Sequence, residues 1–494
     1  MKVLLIMPPL NRLMGAKLAY FPIGLGYLAG HLKAQGTEAK IYNAENPDQA
    51  ENLKEITNRL LFYQYDTYVH SLKNENHFVW QEIEEVLREF SPDIVGLSVT
   101  TAKFGSSLKI SSLIKKHFPG CYVVWGGAHP TIKPDEVLQN KEVDFAVRGE
   151  GEVTLSELIQ EIRTNPGGFS EIKGLSYRRN GDIVHNADRQ LMENLDELTF
   201  PDKTAVIFPE RYLPWDMGVM VTSRGCPFEC AFCGAQNIWG RKVRCRSIDN
   251  IIAEIKEIIS RYNTKQIFFW DDTFNLDRKR LMALCQRLID ERIGISWRCT
   301  ARPDLLDEEL LRIMKQAGCG SIDIGIESGS DRILQSINKG YTLEQIFHGI
   351  ELIRRSGINF NAFFMIGFPD ETEEDIQKTF DLMKRKEMGT LILSIFTPYP
   401  GTKLYQRADD LGLIPKPLDW SFFSHQSPYN HFVKEISKAR FRELAQEIST
   451  YVDQHNKSFR LFLKMHQSEI PFYAKNPLIF FRKLKEKIRY GVKV

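Results

Sequence analysis

The chain has 494 residues, a formal net charge of +2, 43% apolar and 26% charged residues. That length implies roughly two to four domains, the balance is that of a globular protein in water, and the near-zero charge excludes a global field that would gather nucleic acid. No apolar run reaches the ~20 residues that span a bilayer, and eight cysteines in so long a chain do not make a disulfide framework.

MKVLLIMPPL superficially suggests a signal peptide, but Pro8 and Pro9 break the apolar run and no small-residue cleavage site follows. A strand over 3–7 is the better reading, and a cytoplasmic protein is expected. The apolar stripe Leu25, Leu28, Ala29 and Leu32 predicts a helix over 22–35, with a strand over 39–42 after it. The polar, aromatic stretch 46–76 reads as an insertion. A helix over 78–90, the strand DIVGLSV, a helix over 107–117, the strand YVVWGG, a helical DEVLQ, the strand DFAVRG and a helix over 154–163 follow. Continuous apolar strands between amphipathic helices make a parallel sheet covered on both faces. The expected fold is α/β, opening with a Rossmann-like doubly wound domain that binds ligands at the carboxyl ends of its strands.

Residues 165–215 break the rhythm. GLSYRRNGDIVHN predicts a hairpin turning at Asn180-Gly181, and FPD and LPW punctuate an extended linker. A second alternation then begins. The strands VMVTS, QIFFW, SWRCT, SIDIGIE, FNAFFMIG and LILSIF are separated by helices over 248–262, 279–291, 308–316, 342–355 and 373–386. Six such repeats suggest a barrel or partial barrel of TIM type, with chemistry where strands end. In the helical tail, Phe441, Leu444, Ala445, Ile448 and Val452 predict one helix over 432–465. The basic end PLIFFRKLKEKIRYGVKV is either a solvated last helix packed on the barrel or an amphipathic helix making peripheral membrane contact. The expected division is a first domain 1–160, a linker with hairpin 161–215, a barrel 216–405 and a helical region 406–494.

The segment SRGCPFECAFCGAQ places Cys226, Cys230 and Cys233 on a loop after a strand. Three convergent thiolates select zinc or an iron–sulfur cluster. A closed zinc site wants a fourth ligand, and a zinc knuckle completed by Cys245 is the competing reading. Three ligands leave one metal position open. C-x3-C-x2-C at the end of the first strand of a six-strand α/β barrel resembles the radical S-adenosylmethionine (SAM) superfamily, with Phe232 at the family's aromatic position. The resemblance implies a 4Fe-4S cluster on the three cysteines and SAM on the fourth iron, cleaved to a 5′-deoxyadenosyl radical. It also implies a small-molecule substrate and a reduced flavodoxin or ferredoxin-type donor. Polar groups at successive strand ends fit it. Asp271 and Asp272 face the SAM amino group, Arg298 or Arg302 its carboxylate, Glu327 the ribose and Gly367 the adenine; of these, Asp272 and Arg302 are preferred.

GLSVTT with Ser98, Thr100 and Thr101, WGGAHPT with Gly126, Gly127 and His129, and RGEGE with Gly149 to Glu152 stand after successive strands of the first domain. Together with the barrel they resemble the cobalamin-binding radical SAM enzymes, whose corrin tail slides edge-on into such a sheet. One departure is plain: the D-x-H-x-x-G motif, whose His ligates cobalt, is absent after the first strand. Asn11, Arg12, Met14, Lys17 and Tyr20 occupy that loop instead, and His31 lies inside the next helix. The resemblance implies methylation of an unactivated carbon or phosphorus through methylcobalamin. Oxidative cyclisation or rearrangement, as in the anaerobic porphyrin-ester cyclases, is the alternative, and a non-catalytic cofactor-binding sensor is a third.

Overall fold

The structure, a computed structural model, describes residues 1–457 apart from 18, 19, 49, 50, 52, 56, 57 and 426. Its strands are β1 (Val3–Met7), β2 (Ala16–Lys17), β3 (Ala39–Asn43), β4 (Lys54–Glu55), β5 (Ile94–Ser98), β6 (Tyr122–Gly126), β7 (Phe145–Val147), β8 (Leu175–Arg179) and β9 (Asp182–His185) in the first half. The second half holds β10 (Val219–Met220), β11 (Ser223–Arg224), β12 (Arg244–Cys245), β13 (Gln266–Phe269), β14 (Ser296–Ala301), β15 (Cys319–Glu327), β16 (Asn359–Ile366) and β17 (Thr390–Ile395).

The first sheet runs β3-β1-β5-β6-β7-β8-β9. Its first five strands are parallel. β1 is flanked by β3 on one side and β5 on the other, so the chain reverses its direction across the sheet between β1 and β5. The crevice at such a switch point is where open α/β sheets take ligands. Val3 and Leu5 point to one buried face and Leu4 and Ile6 to the other, which is why the strand reads as an unbroken apolar run. The 175–185 hairpin, read as part of a linker, adds β8 and β9 antiparallel to this sheet. Asn180 and Gly181 both sit at positive φ, as its two-residue turn demands.

The second sheet holds β10-β13-β14-β15-β16-β17 in strict chain order, all parallel. Its outward side chains, such as Ile267, Phe269, Trp297 and Ile324, pack under the helices as one large core. The six strands are those read from the sequence. Three elements differ from expectation. The presumed insertion contains a helix, Asn58–Lys73. The helix expected over 107–117 begins at Phe104, extended by a 3-10 turn before it. The tail helix spans Lys438–Asn456, because the Ser437 hydroxyl accepts from the Arg440 amide and starts it there. The basic C-terminal end lies outside the described residues. No helix among those described is long and apolar enough to cross a membrane.

Candidate active site

The cysteine loop leaves the sheet through Ser223 and Arg224 and returns through Arg244 and Cys245, which pair antiparallel and close its base. Gly225 begins the loop at φ +99, where a Cβ would stand 2.4 Å from the Lys242 carbonyl, so only glycine fits. The far side is pinned by backbone. The Ala231 amide donates to Ile337 (2.8 Å), the Leu404 amide donates to Ala231 (2.9 Å), and the Asn338 side chain donates to Glu229 (3.0 Å).

Cys226, Cys230 and Cys233 are all free and half-buried. Burial pushes the Cys230 thiol up and the Cys233 thiol up to about 11; Cys230 also feels the Cys226 sulfur, and Cys233 feels both Cys226 and Cys230. A metal must displace those protons, so loading the loop releases protons. Cys245 is exposed at the loop's base, and the charges it feels are those of Arg280, Asp271 and Asp277 rather than the triad. The donor set, three soft thiols with no fourth at hand, fits a cluster with one open corner.

Around the triad the structure gathers several of the expected residues. Lys339 Nζ donates to Glu327 Oε1 (2.6 Å) and lies 5.5 Å from the Phe232 ring centre, and both charges act on Cys230. Glu327 holds a positive φ of 67° at the end of β15, a strained backbone of the kind that collects at functional sites. Phe232 packs toward Phe368, with centroids 6.1 Å apart. Asp272 stands at the mouth beside Cys233. Asp271, in contrast, is buried and takes hydrogen bonds from the Thr222 amide and the Thr222 and Ser223 hydroxyls, which ties β13 to the base of the loop.

The two arginines differ from expectation. The Arg302 guanidinium is already bidentate with Asp304 (3.0 and 2.9 Å), donates to the Lys339 carbonyl and stacks 3.6 Å from Phe228. It braces the cysteine loop instead of standing free for a carboxylate. Arg298 lies one turn of the pleat deeper, over Phe268 and bonded to Tyr20. Gly367, at φ +92, would drive a Cβ to 2.7 Å from Phe441. Its amide and that of Phe368 donate to Glu371, whose other oxygen, Oε1, is buried without a partner among the described residues. Burial pushes the Glu371 carboxyl up to about 8.

In the first domain Ser98, Thr100, Gly126, Gly127 and Gly149 all fall at the carboxyl ends of β5, β6 and β7. Gly127 sits at φ +103 with its absent Cβ 3.0 Å from the Val99 carbonyl, so the fold itself requires glycine there. At Gly126 a Cβ would make only an ordinary contact with Val147, at 3.9 Å, and at Gly149 it would meet nothing. Open space over these small residues is a cradle that side chains would fill, and it fits a corrin tail. His129 is fully buried, 3.1 Å from the Thr101 hydroxyl and packed on Phe104 and Trp420; burial lowers it to about 4, leaving it neutral. In the loop after β1, Arg12 is enclosed by Glu51 and Glu82, Asn11 donates to Glu45 and Tyr20 turns into the barrel.

Sequence reasoning missed what fastens the two halves together. Glu150 and Glu152 of the first domain close on Arg224, immediately before the cysteine loop, at 2.8 and 2.6 Å. Arg244 closes on Glu150 from the returning strand, at 2.8 Å. All four side chains are buried. Burial alone would raise the Glu152 carboxyl, but Arg224 holds it below its ordinary value.

Comparison with known proteins agrees with this geometry. The model of the radical SAM superfamily matches residues 220–383, and that of the B12 binding domain matches residues 14–159. An uncharacterized methyltransferase of Pyrococcus horikoshii is 32% identical over 455 residues, covering 89% of this chain and 90% of that protein. The anaerobic magnesium-protoporphyrin IX monomethyl ester cyclase of Rubrivivax gelatinosus is 27% identical over 83% of this chain and 70% of its own. Among solved structures, the radical SAM methyltransferase TsrM of Kitasatospora setae, with cobalamin and a 4Fe-4S cluster bound, superposes with a TM-score of 0.64 at 19% identity. It covers 84% of this chain and 79% of that one.

Proposed function

The chain belongs to the radical SAM superfamily, in the branch that carries a B12-binding domain, and on that premise we propose that it is a methyltransferase acting on an unactivated carbon, or phosphorus, of a small-molecule substrate. What carries this reading is the three-thiol loop of Cys226, Cys230 and Cys233 standing in one chain with a B12-binding domain, in a chain 32% identical over 89% of its length to a methyltransferase. When bound, the cluster and SAM supply a carbon radical that abstracts hydrogen, and cobalamin supplies the methyl group.

This chain's residues would hold and shield those groups. Cys226, Cys230 and Cys233 take the cluster and leave one corner for SAM. Asp272 and Glu327 offer acceptors to the SAM amino group and ribose, and the turn at Gly367 offers backbone at close range. Ser98, Thr100, Gly126, Gly127 and Gly149 line the corrin tail. Phe232, Phe368 and Phe396 pack beside the mouth and exclude water from it. The chemistry also needs a one-electron reductant, for which a reduced flavodoxin or ferredoxin is our choice, and a cytoplasmic setting suits so reducing a reaction. Oxidative ring closure has weaker support, since the cyclase is the less similar relative, 27% against 32%.

Anaerobically reconstituted protein is expected to hold about four irons and to cleave SAM under reductant to methionine and 5′-deoxyadenosine. Cys230→Ala abolishes that cleavage; full cleavage in this variant would overturn the cluster assignment. Gly126→Val, with room for its own Cβ in the fold, is expected to keep its thermal transition and lose uptake of hydroxocobalamin, read from the visible spectrum. Undiminished uptake would remove Gly126 from the corrin site.

A further inference from the structure

Along β13 the outward side chains Ile267 and Phe269 belong to the core under the helices. The alternation of a strand then turns Phe268, Trp270 and Asp272 toward the barrel interior. Phe268 is half-buried, while Trp270 and Asp272 are exposed. Pairing continues past the last residue of β13, since the Trp270 amide donates to the Met220 carbonyl (2.8 Å). Trp270 therefore stands one level above Phe268 and one below Asp272, the acid beside Cys233. It is 39% exposed. A single tryptophan of that exposure on an outer surface needs no explanation. Inside a barrel, where bulky side chains ordinarily fill the interior, it is a large apolar face left open to what enters.

Two rings brace the indole. Phe268 meets it with centroids 5.6 Å apart and planes at 80°, and Tyr20, reaching over from the first half, at 5.7 Å and 66°. Both are edge-to-face contacts, which fix the plane of the indole, and among the described residues no ring lies parallel on it. The same two rings carry Arg298. Its guanidinium rests 3.6 Å from the Phe268 ring centre, and its one hydrogen-bond partner among the described residues is the Tyr20 hydroxyl at 2.8 Å. No carboxylate pairs with it there, so most of its donors are left for a ligand. Because Phe268 and Tyr20 touch both Trp270 and Arg298, the indole and the guanidinium are within reach of one small molecule. Tyr20, Phe268 and Arg298 also line a cavity of about 1300 Å³ on the side where the strands begin, so the interior at their level is open.

We propose that Trp270 is the platform of the substrate pocket: a flat conjugated ring of the substrate stacks on its exposed indole, and a carboxylate or carbonyl of the same molecule accepts from Arg298. This rests on the methyltransferase reading above and names the substrate class for it, an aromatic molecule that bears an acceptor group. A saturated ring would cover the same indole without the stacking interaction. A cationic ring would meet the guanidinium beside it. A ring held on Trp270 lies one level below Asp272 and the three-thiol loop, next to the place where the radical chemistry is assigned.

The test is binding, not turnover. Three probes are titrated by calorimetry into the anaerobically reconstituted full-length protein: 2-naphthoate, its saturated counterpart decahydro-2-naphthoate, and 2-naphthylmethylammonium, which keeps the ring and reverses the charge. The naphthoate is expected to bind, the saturated acid about three- to tenfold more weakly, and the ammonium about tenfold more weakly or worse. Trp270→Leu should erase the preference for the aromatic acid over the saturated one, and Trp270→Phe should keep it. Arg298→Gln should erase the preference for the acid over the ammonium. If the naphthoate does not bind, if the saturated acid binds wild type as tightly, or if Trp270→Leu keeps the preference, the proposal is overturned. Should a variant fail to fold, the wild-type comparison of the three probes decides alone. Reductive SAM cleavage by the wild-type preparation separates the two readings. Cleavage without naphthoate binding sinks the substrate class only, and binding without cleavage sinks the radical chemistry only.

Discussion

At the seam beside the cysteine loop, Arg224 and Arg244 close on Glu150 and Glu152 at 2.6 to 2.8 Å; inside the barrel, Arg298 and Asp323 stand on the neighbouring strands β14 and β15, and among the described residues neither has an ion-pair partner. Both places bury arginine near carboxylate, and they teach opposite lessons. At the seam a buried charge with an opposite charge in contact is scaffolding, since its desolvation is offset within the fold, whereas Glu327 gives Lys339 only its Oε1. A buried charge left without one keeps its interaction for something that arrives. The distinction separates the residues that set the height of the cysteine loop from those that face a ligand, though both sets are Arg and Asp/Glu and neither is distinguishable by composition.

The sharpest way to break the comparison is to remove one arginine from each place. Arg224→Met strands Glu152 as a buried anion and leaves Glu150 to Arg244 alone, a change that costs about 3–5 kcal/mol. At about 2–4 °C per kcal/mol for a domain of this class, Tm falls by on the order of 10 °C, and iron content after reconstitution falls with it. Arg298→Gln deletes a cation that no carboxylate pairs among the described residues, so stability moves by less than about 1 kcal/mol. Differential scanning calorimetry and iron analysis on the two variants, prepared together, give the answer. Equal destabilisation would mean that Arg298 is scaffolding too.

Glu371 lies between the two cases and sharpens them. One oxygen takes the amides of Gly367 and Phe368, and the other is buried without a partner among the described residues. Its carboxyl is raised from an ordinary 4.5 to about 8. A group raised on folding contributes stability fully below its unfolded value and loses it as pH climbs through the folded one. The parent protein should therefore lose stability progressively between about pH 4.5 and about pH 8, by a few kcal/mol at most, and no further above that. Glu371→Gln, neutral throughout, should flatten that decline and be the more stable form at the alkaline end. Urea titrations across the range read this directly, and an unchanged slope in the variant would show that another group carries it.

Much of this was legible from the chain alone. The triad is local in sequence, so its chemistry could be read from spacing. The six barrel strands carry an unambiguous period, so Glu327, Gly367 and Asp272 could be placed at strand ends before any coordinates. The remainder depends on pairs far apart in the chain. Glu150 and Arg224 are 74 residues apart, and nothing in RGEGE announces which cation it grips. Lys339 follows a short helix in an unremarkable turn, yet it lies against Phe232 and Glu327. Arg298 and Arg302 both stand as candidates for one carboxylate in the sequence, with Arg302 preferred, and only register and the contact with Asp304 separate their roles. Tyr20 was read as one more residue of a corrin-facing loop, and it reaches across to the barrel.

The smallest expected effect falls on the one cysteine that sits beside the cluster loop without sharing its site. Cys245 pairs with Ser223 across the two strands that close the loop and is exposed there. Its neighbours in charge are Arg280, Asp271 and Asp277, with none of the three thiols among them. A zinc knuckle would need this sulfur as its fourth ligand, and a cluster that leaves one iron to SAM would not. Cys245→Ala removes a sulfur from a surface position whose backbone pairing any residue can make. Its stability should change by less than about 0.5 kcal/mol, with iron and sulfide content and SAM cleavage equal to the parent's. Since Cys226, Cys230 and Cys233 are left untouched, a loss of metal in this variant alone would place the fourth ligand at Cys245, and with it a closed site that has no corner for substrate.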